Sequence, residues 1–161
     1  MDDILIKPAD SIGTIRLGMT QAEVLECIQE YKSKYPMGEG NEYYFDQAFK
    51  LEYGPDEKVS GITIDRELRH NLNCMCFGIN IFTIRAEEVG LIIDQVAKYD
   101  REKAKHGFLY EYPELGLSFW RSNVFTEADM QKEWFLAKRP EEQADDLLYM
   151  YFESVRVYCP E

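Results

Sequence analysis

The stretch Thr20-Gln21-Ala22-Glu23-Val24-Leu25-Glu26-Cys27-Ile28-Gln29-Glu30-Tyr31 decides how the chain is read. Thr20 and Glu23 form a capping box, which satisfies two backbone donors that a helix start leaves without partners. Val24, Cys27, Ile28 and Tyr31 then recur at i, i+3, i+4 and i+7, the stripe of a helix with one buried face. Gly38-Glu39-Gly40-Asn41 closes the region, and Tyr43-Tyr44-Phe45 with a turn at Asp46-Gln47 follows. Phe49, Leu51 and Tyr53 alternate with Lys50 and Glu52, which predicts a strand with one buried face. Gly54-Pro55-Asp56 turns the chain into a further strand from Val59 to Ile64, with Ile62 and Ile64 on one side.

The second half replays this order at a nearly constant offset. Val89, Ile92, Ile93 and Val96 reproduce the helical stripe behind Ala86-Glu87-Glu88. Phe108, Tyr110 and Tyr112 alternate, Pro113-Glu114 turns, and Leu115, Leu117 and Phe119 alternate again. Val155 and Val157 take the part of Ile62 and Ile64. The chain therefore reads as a duplicated helix-plus-antiparallel-strands unit, with a first repeat at about 12–65 and a second at about 79–158. One helix and two or three strands cannot bury their apolar faces alone. Two copies sharing one antiparallel sheet, with the helices packed on one face, can. The expectation is an α+β fold with residues 1–161 forming a single domain.

The composition narrows the function classes. Of 161 residues, 18 are Lys or Arg and 30 are Asp or Glu, a net charge of −12; 45 % are apolar and 14 % aromatic. That aromatic content argues against intrinsic disorder. No apolar run is long enough for a membrane span. Met1-Asp2-Asp3 lacks the basic region and apolar run of a secretory signal, so a cytoplasmic location is expected. The negative charge disfavours nucleic acid and anionic membranes as partners and favours a cationic protein.

Cysteine and histidine offer little chemistry. Cys27 lies on the helical stripe, and His70, Cys74 and Cys76 form the one tight cluster of soft ligands. A structural zinc site would add a second ligand pair, which is absent, so neither metal nor cofactor is expected. His106, in Glu102-Lys103-Ala104-Lys105-His106-Gly107, reads as the positive end of a helix closed by Gly107. No nucleophile, metalloprotease or phosphate-loop motif is present. The carboxylate pairs Glu87–Glu88 and Asp145–Asp146 are adjacent in sequence and do not share a helix face. A catalytic role is not expected.

An extra segment, about 121–146, separates the two last strands of the second repeat. From Phe125 to Glu153 the chain carries Glu127, Asp129, Glu133, Glu141, Glu142, Asp145, Asp146 and Glu153 against Lys132, Lys138 and Arg139. A long connection inside a compact fold is usually functional or disordered, and Trp134-Phe135-Leu136 predicts order. By the alternation that turns Leu115, Leu117 and Phe119 inward, Trp120 points to the opposite sheet face.

Leu17-Gly18-Met19-Thr20 running into a helix and a strand hairpin resembles the repeat unit of small outer-membrane assembly lipoproteins of the SmpA type. Two such units in tandem are similar to the β-lactamase inhibitor protein family, in which one sheet grips an enzyme with aromatic and acidic residues. The chain lacks the lipidated cysteine of the first and the paired cysteines of the second. As a small acidic protein with an aromatic-rich sheet, it also resembles bacterial immunity proteins, which neutralise cognate toxins inside the cell. That resemblance implies a basic toxin, with nucleases among the candidates, as the protein partner. The expected contact residues are Trp120, Glu127, Asp129, Glu133, Trp134, Glu141, Glu142, Asp145 and Asp146. The alternative is a small-molecule or peptide-binding module whose lining is the aromatic sheet face, with Tyr43, Tyr44, Tyr110, Tyr112, Tyr149 and Tyr151 supplying it.

Overall fold

The computed structural model describes residues 1–160. The chain opens with β1 (Asp3–Lys7), β2 (Ser11–Ile12) and β3 (Ile15–Arg16), followed by α1 (Gln21–Lys34), α2 (Tyr44–Ala48), β4 (Phe49–Tyr53) and β5 (Val59–Asp65). Next come β6 (Asn73–Cys76), β7 (Ile79–Asn80), α3 (Ala86–Asp94), β8 (Leu109–Tyr112) and β9 (Leu117–Trp120). Two short helices, α4 (Glu133–Leu136) and α5 (Pro140–Leu147), precede β10 (Ser154–Tyr158). The α+β class holds.

The strands form two five-stranded sheets where one was expected. The larger, ordered β4-β5-β10-β9-β8, is antiparallel throughout and contains the strands foreseen from alternation. Its register lines up Phe49, Ile64, Val155, Phe119 and Tyr110 in one row and Leu51, Ile62, Val157, Leu117 and Tyr112 in the next. Both rows face the core. Ile62 and Ile64 meet Val157 and Val155 directly across the central pair. The smaller sheet, β3-β2-β1-β6-β7, includes a parallel pairing of β1 with β6. Its strands other than β1 have two to four residues, too few to write a period-two pattern into the sequence.

Both long helices lie on the inner face of the larger sheet, and each docks through a tyrosine against a glycine. In α1, Thr20 Oγ1 accepts the Glu23 N–H at 3.3 Å, the first half of the expected capping box, while the Glu23 carboxylate accepts from the Thr20 hydroxyl at 3.1 Å and not from its N–H. Tyr31 of α1 lies tilted 5.3 Å from Phe49 and accepts the Thr14 N–H at 3.0 Å, over Gly13, which has a left-handed φ of 61° and whose Cβ position the Tyr31 hydroxyl and Ile4 fill. In α3 the roles are exchanged: Gly90 lies on the Tyr110 ring, where a Cβ would fall 2.6 Å from it, and Tyr112 Oη donates to Gly90 O at 2.7 Å.

Three local expectations change. Tyr43-Tyr44-Phe45 and the turn after it become the helix α2, because Phe45 packs on Tyr31 and Tyr35 and that contact needs a helical turn. Val96 is exposed, since α3 ends at Asp94. There Asp94 takes a two-pronged contact from Arg101 at 2.8 and 2.8 Å and accepts the Tyr99 N–H at 3.2 Å, which turns the chain away. Residues 101–106 form successive turns and no helix, although Gly107 does adopt the left-handed conformation.

Candidate functional site

The insertion is ordered and has its own small core. Phe125, Phe135 and Met150 are buried together, with Met130, Leu147, Tyr149 and Tyr151 packed around them, as a cluster separate from the main one. Thr126 opens it with a capping box, its N–H and hydroxyl both reaching Asp129 Oδ2 at 2.9 and 3.2 Å. Gln143 donates to Phe135 O at 3.0 Å and ties α5 to α4. The helical run continues past Leu147 into a 3-10 turn at Leu148–Met150, so the inserted body extends beyond residue 146.

The expected contact residues divide into three groups. Asp129 is absorbed by the capping box and by Lys132 at 2.7 Å, and the Lys132 contact, then the Thr126 backbone, lowers its carboxyl below the usual range. Glu142 pairs with Arg139 and Asp146 with Lys138, each at 2.7 Å, and Glu127 pairs with Arg85. Glu133, Glu141 and Asp145 are exposed and have no cationic partner among the described residues. The insertion therefore presents fewer bare charges than its composition suggests, and those are carried on α4 and α5. Glu141 and Asp145, four residues apart on α5, share one helix face.

The two tryptophans have different surroundings. Trp134 is 49 % exposed, meets Phe125 edge-on at 6.1 Å, and has the Lys138 ammonium 5.2 Å over its ring. It belongs to the inserted body. Trp120 is 43 % exposed on the outer face of the larger sheet, opposite Leu109 on β8 and Ser154 on β10. The insertion leaves it uncovered.

That outer sheet face is otherwise closed on itself. Arg156 makes a two-pronged contact with Glu52 at 2.6 and 3.0 Å and lies 4.5 Å over the Tyr158 ring. Tyr158 Oη donates to Glu111 at 2.9 Å, and Lys103 holds the other oxygen of Glu111 at 2.5 Å. Burial first, and then the Glu111 bond, push the Tyr158 hydroxyl up to about 12. Gly61 lets the Glu52–Arg156 pair lie flat against the strand, because a Cβ there would strike both side chains. The tyrosines proposed as a pocket lining do not share a face. Tyr110 and Tyr112 are buried, Tyr44 packs beside the core, Tyr43 is exposed, and Tyr149 and Tyr151 belong to the insertion. Tyr110 and Tyr112, offered as lining, instead lie in register with Phe119 and Leu117 on the core side of the sheet.

Arg121 is the residue the sequence reading passed over. It is 1 % exposed and fully engaged: Nε donates to Gly107 O at 2.8 Å, Nη1 to Tyr149 O at 2.9 Å and Nη2 to Glu87 at 2.7 Å. The signal was present, since the alternation that turns Trp120 outward turns Arg121 inward. Glu87, considered above with Glu88 as an acid pair, is instead the partner of this guanidinium.

Cys74 and Cys76 are buried on β6, and burial pushes both thiols up to about 12, so they stay protonated. The His70 side chain is largely exposed and lies 3.4 Å from Glu67. Among the described residues no three His, Cys, Asp or Glu side chains converge as a metal site. No helix of the described residues is long and apolar enough to cross a membrane. In comparisons with known proteins, no family model, no curated protein and no solved structure matches this chain.

Proposed function

We propose that the protein is a non-catalytic inhibitor of immunity type, acting in the cytoplasm of a bacterium and neutralising a basic protein toxin by direct binding. The observation that carries this reading is the inserted body. Its own apolar cluster orders it, and it presents Glu133, Glu141 and Asp145 without internal partners, together with a half-exposed Trp134. Unpaired carboxylates steer a cationic partner and raise its association rate, while an aromatic anchor supplies contact energy. A net charge of −12 acts in the same direction at long range. We also read the two helix-and-strand halves as diverged copies of one unit, a reading supported by the matched apolar pairs at the centre of the larger sheet.

The test is a tagged pull-down from the native cells at low and at high salt, with mass spectrometry of what is retained. A stoichiometric basic protein that is toxic when expressed alone supports the reading. Retention of no protein at low salt, with a small molecule co-purifying, overturns it. With such a partner in hand, Glu133→Lys, Glu141→Lys and Asp145→Lys together should slow association at low salt. Folding stability should change by only about 0.5 kcal/mol per site, because exposed charges contribute little to it. An unchanged association rate would remove the insertion from the interface.

A further inference from the structure

The inserted body touches the rest of the protein through a small number of polar ties, and three of them are arginines from three different places. Arg66, just after β5, donates to Leu148 O at 3.0 Å, and its guanidinium lies 5.8 Å from the Tyr149 ring centre. Arg121, at the end of β9, donates to Tyr149 O at 2.9 Å. Arg85, before α3, pairs with Glu127 at the other end of the body. Two guanidinium groups thus hold two consecutive carbonyls where the α5 helical run ends, the place where a helix has spare acceptors and partial negative charge.

The apolar cluster of the body takes all its members from residues 125–151, and the main core takes none from that segment. The division is clean. We propose that residues 122–151 form a strap that opens as one cooperative unit while both sheets stay folded, with the arginine clamp at Leu148 and Tyr149 setting how often it opens.

Two physical arguments favour separate opening. Charge-assisted hydrogen bonds from guanidinium to carbonyl exchange readily for bonds to water once water has access, so releasing the clamp leaves no group stranded. Three buried apolar residues are too few to hold a detached segment of this length folded, so the strap unfolds as it opens. Glu133, Glu141 and Asp145 all lie on the strap, so opening disperses the face assigned above. That consequence rests on the proposed function; the opening itself does not.

Native-state hydrogen exchange on the whole chain, with two variants, tests the proposal. In the wild type, amides of α5 and of Leu136 and Ala137 should exchange through an opening more frequent than that exposing Ile62, Ile64, Val155 and Val157. Ile62→Val weakens the sheet core in the closed and the strap-open state alike. It should speed exchange of the sheet amides by about 2- to 10-fold and leave the strap amides unchanged. Arg121→Met removes the Tyr149 tie, made only in the closed state, together with the Gly107 and Glu87 bonds that outlast opening, so it should speed the strap amides by about 10-fold and the sheet amides by about 30- to 900-fold. If Arg121→Met does not fold, Arg66→Met removes the other half of the clamp and should speed both sets alike, by less. Equal protection of strap and sheet in the wild type, or strap amides that speed up with Ile62→Val as much as the sheet does, would overturn the proposal.

Discussion

β4 to β5 and β9 to β10 are both antiparallel neighbours in one sheet, yet they are joined in opposite ways. The first pair is closed by Gly54–Lys58, where Gly54 N–H donates to Lys58 O at 2.9 Å and Glu57 adopts a φ of 63°. The second is joined through residues 121–153, which fold into helices with a core of their own. The strand register at the centre of the sheet is unaffected by this difference. Loop-closure entropy grows only slowly with length, so the sheet tolerates a long link. The long link must instead be fastened. A tight turn fastens itself with two backbone hydrogen bonds of its own, whereas the insertion needs a buried arginine and its acceptors.

The largest expected effect tests that fastening. Arg121→Met removes the donors to Gly107, Tyr149 and Glu87, and should lower the unfolding free energy by about 2–4 kcal/mol in urea titration. A loss under about 0.5 kcal/mol would mean that the insertion is held by packing alone. Next come the two helix docks, Gly13→Ala and Gly90→Ala. Each should cost about 1–3 kcal/mol, through the Tyr31 hydroxyl and the Tyr110 ring respectively, although alanine at 90 would by itself favour the helix. A stabilised Gly90→Ala protein would show that Tyr110 can move and that the two docks are unequal.

The helix ends differ as well, and pH separates them. α3 stops on Asp94, whose carboxyl the Arg101 contact, aided by Lys98 and the Tyr99 N–H, holds well below its usual range. A carboxylate with a depressed pKa contributes stability that is present above its unfolded value, about 4, and is lost as the pH falls toward the folded one. Melting temperature followed from pH 7 to pH 2.5 should drop on the acid side in the wild type. Asp94→Asn should start lower at neutral pH and have a flatter acid limb. Identical acid limbs would assign the loss to other carboxylates. The smallest effect belongs to the short link: Glu57→Gly relieves a left-handed backbone and should stabilise by about 0.5–1 kcal/mol in the same urea titration.

Legibility followed the length of each element. The strands of the larger sheet were readable because their inward and outward residues alternate over enough positions, and α1 because its cap and stripe coincide. α2 was not, since nothing local in Tyr44-Phe45-Asp46-Gln47-Ala48 favours a helix over a turn until Phe45 meets Tyr31 and Tyr35. The candidate site was legible as a segment and misjudged in its charges. Counting acids treats each as free, but Lys132, Lys138, Arg139 and the more distant Arg85 neutralise four of the seven candidate carboxylates, leaving Glu133, Glu141 and Asp145 bare.

By itself the sequence determined the α+β class, the capped helix at Thr20, the inner face of the larger sheet and the ordered, aromatic insertion. Those properties are set by residues near one another in the chain, through hydrogen bonds at helix starts and the periods of helix and strand. Only the tertiary structure decided that a second sheet joins β1 to β6, that Arg121 clamps the insertion, and that Tyr110 and Tyr112 are core residues bearing on α3. Those outcomes depend on contacts between residues far apart in sequence, where burial and pairing are fixed by what the remote partner supplies.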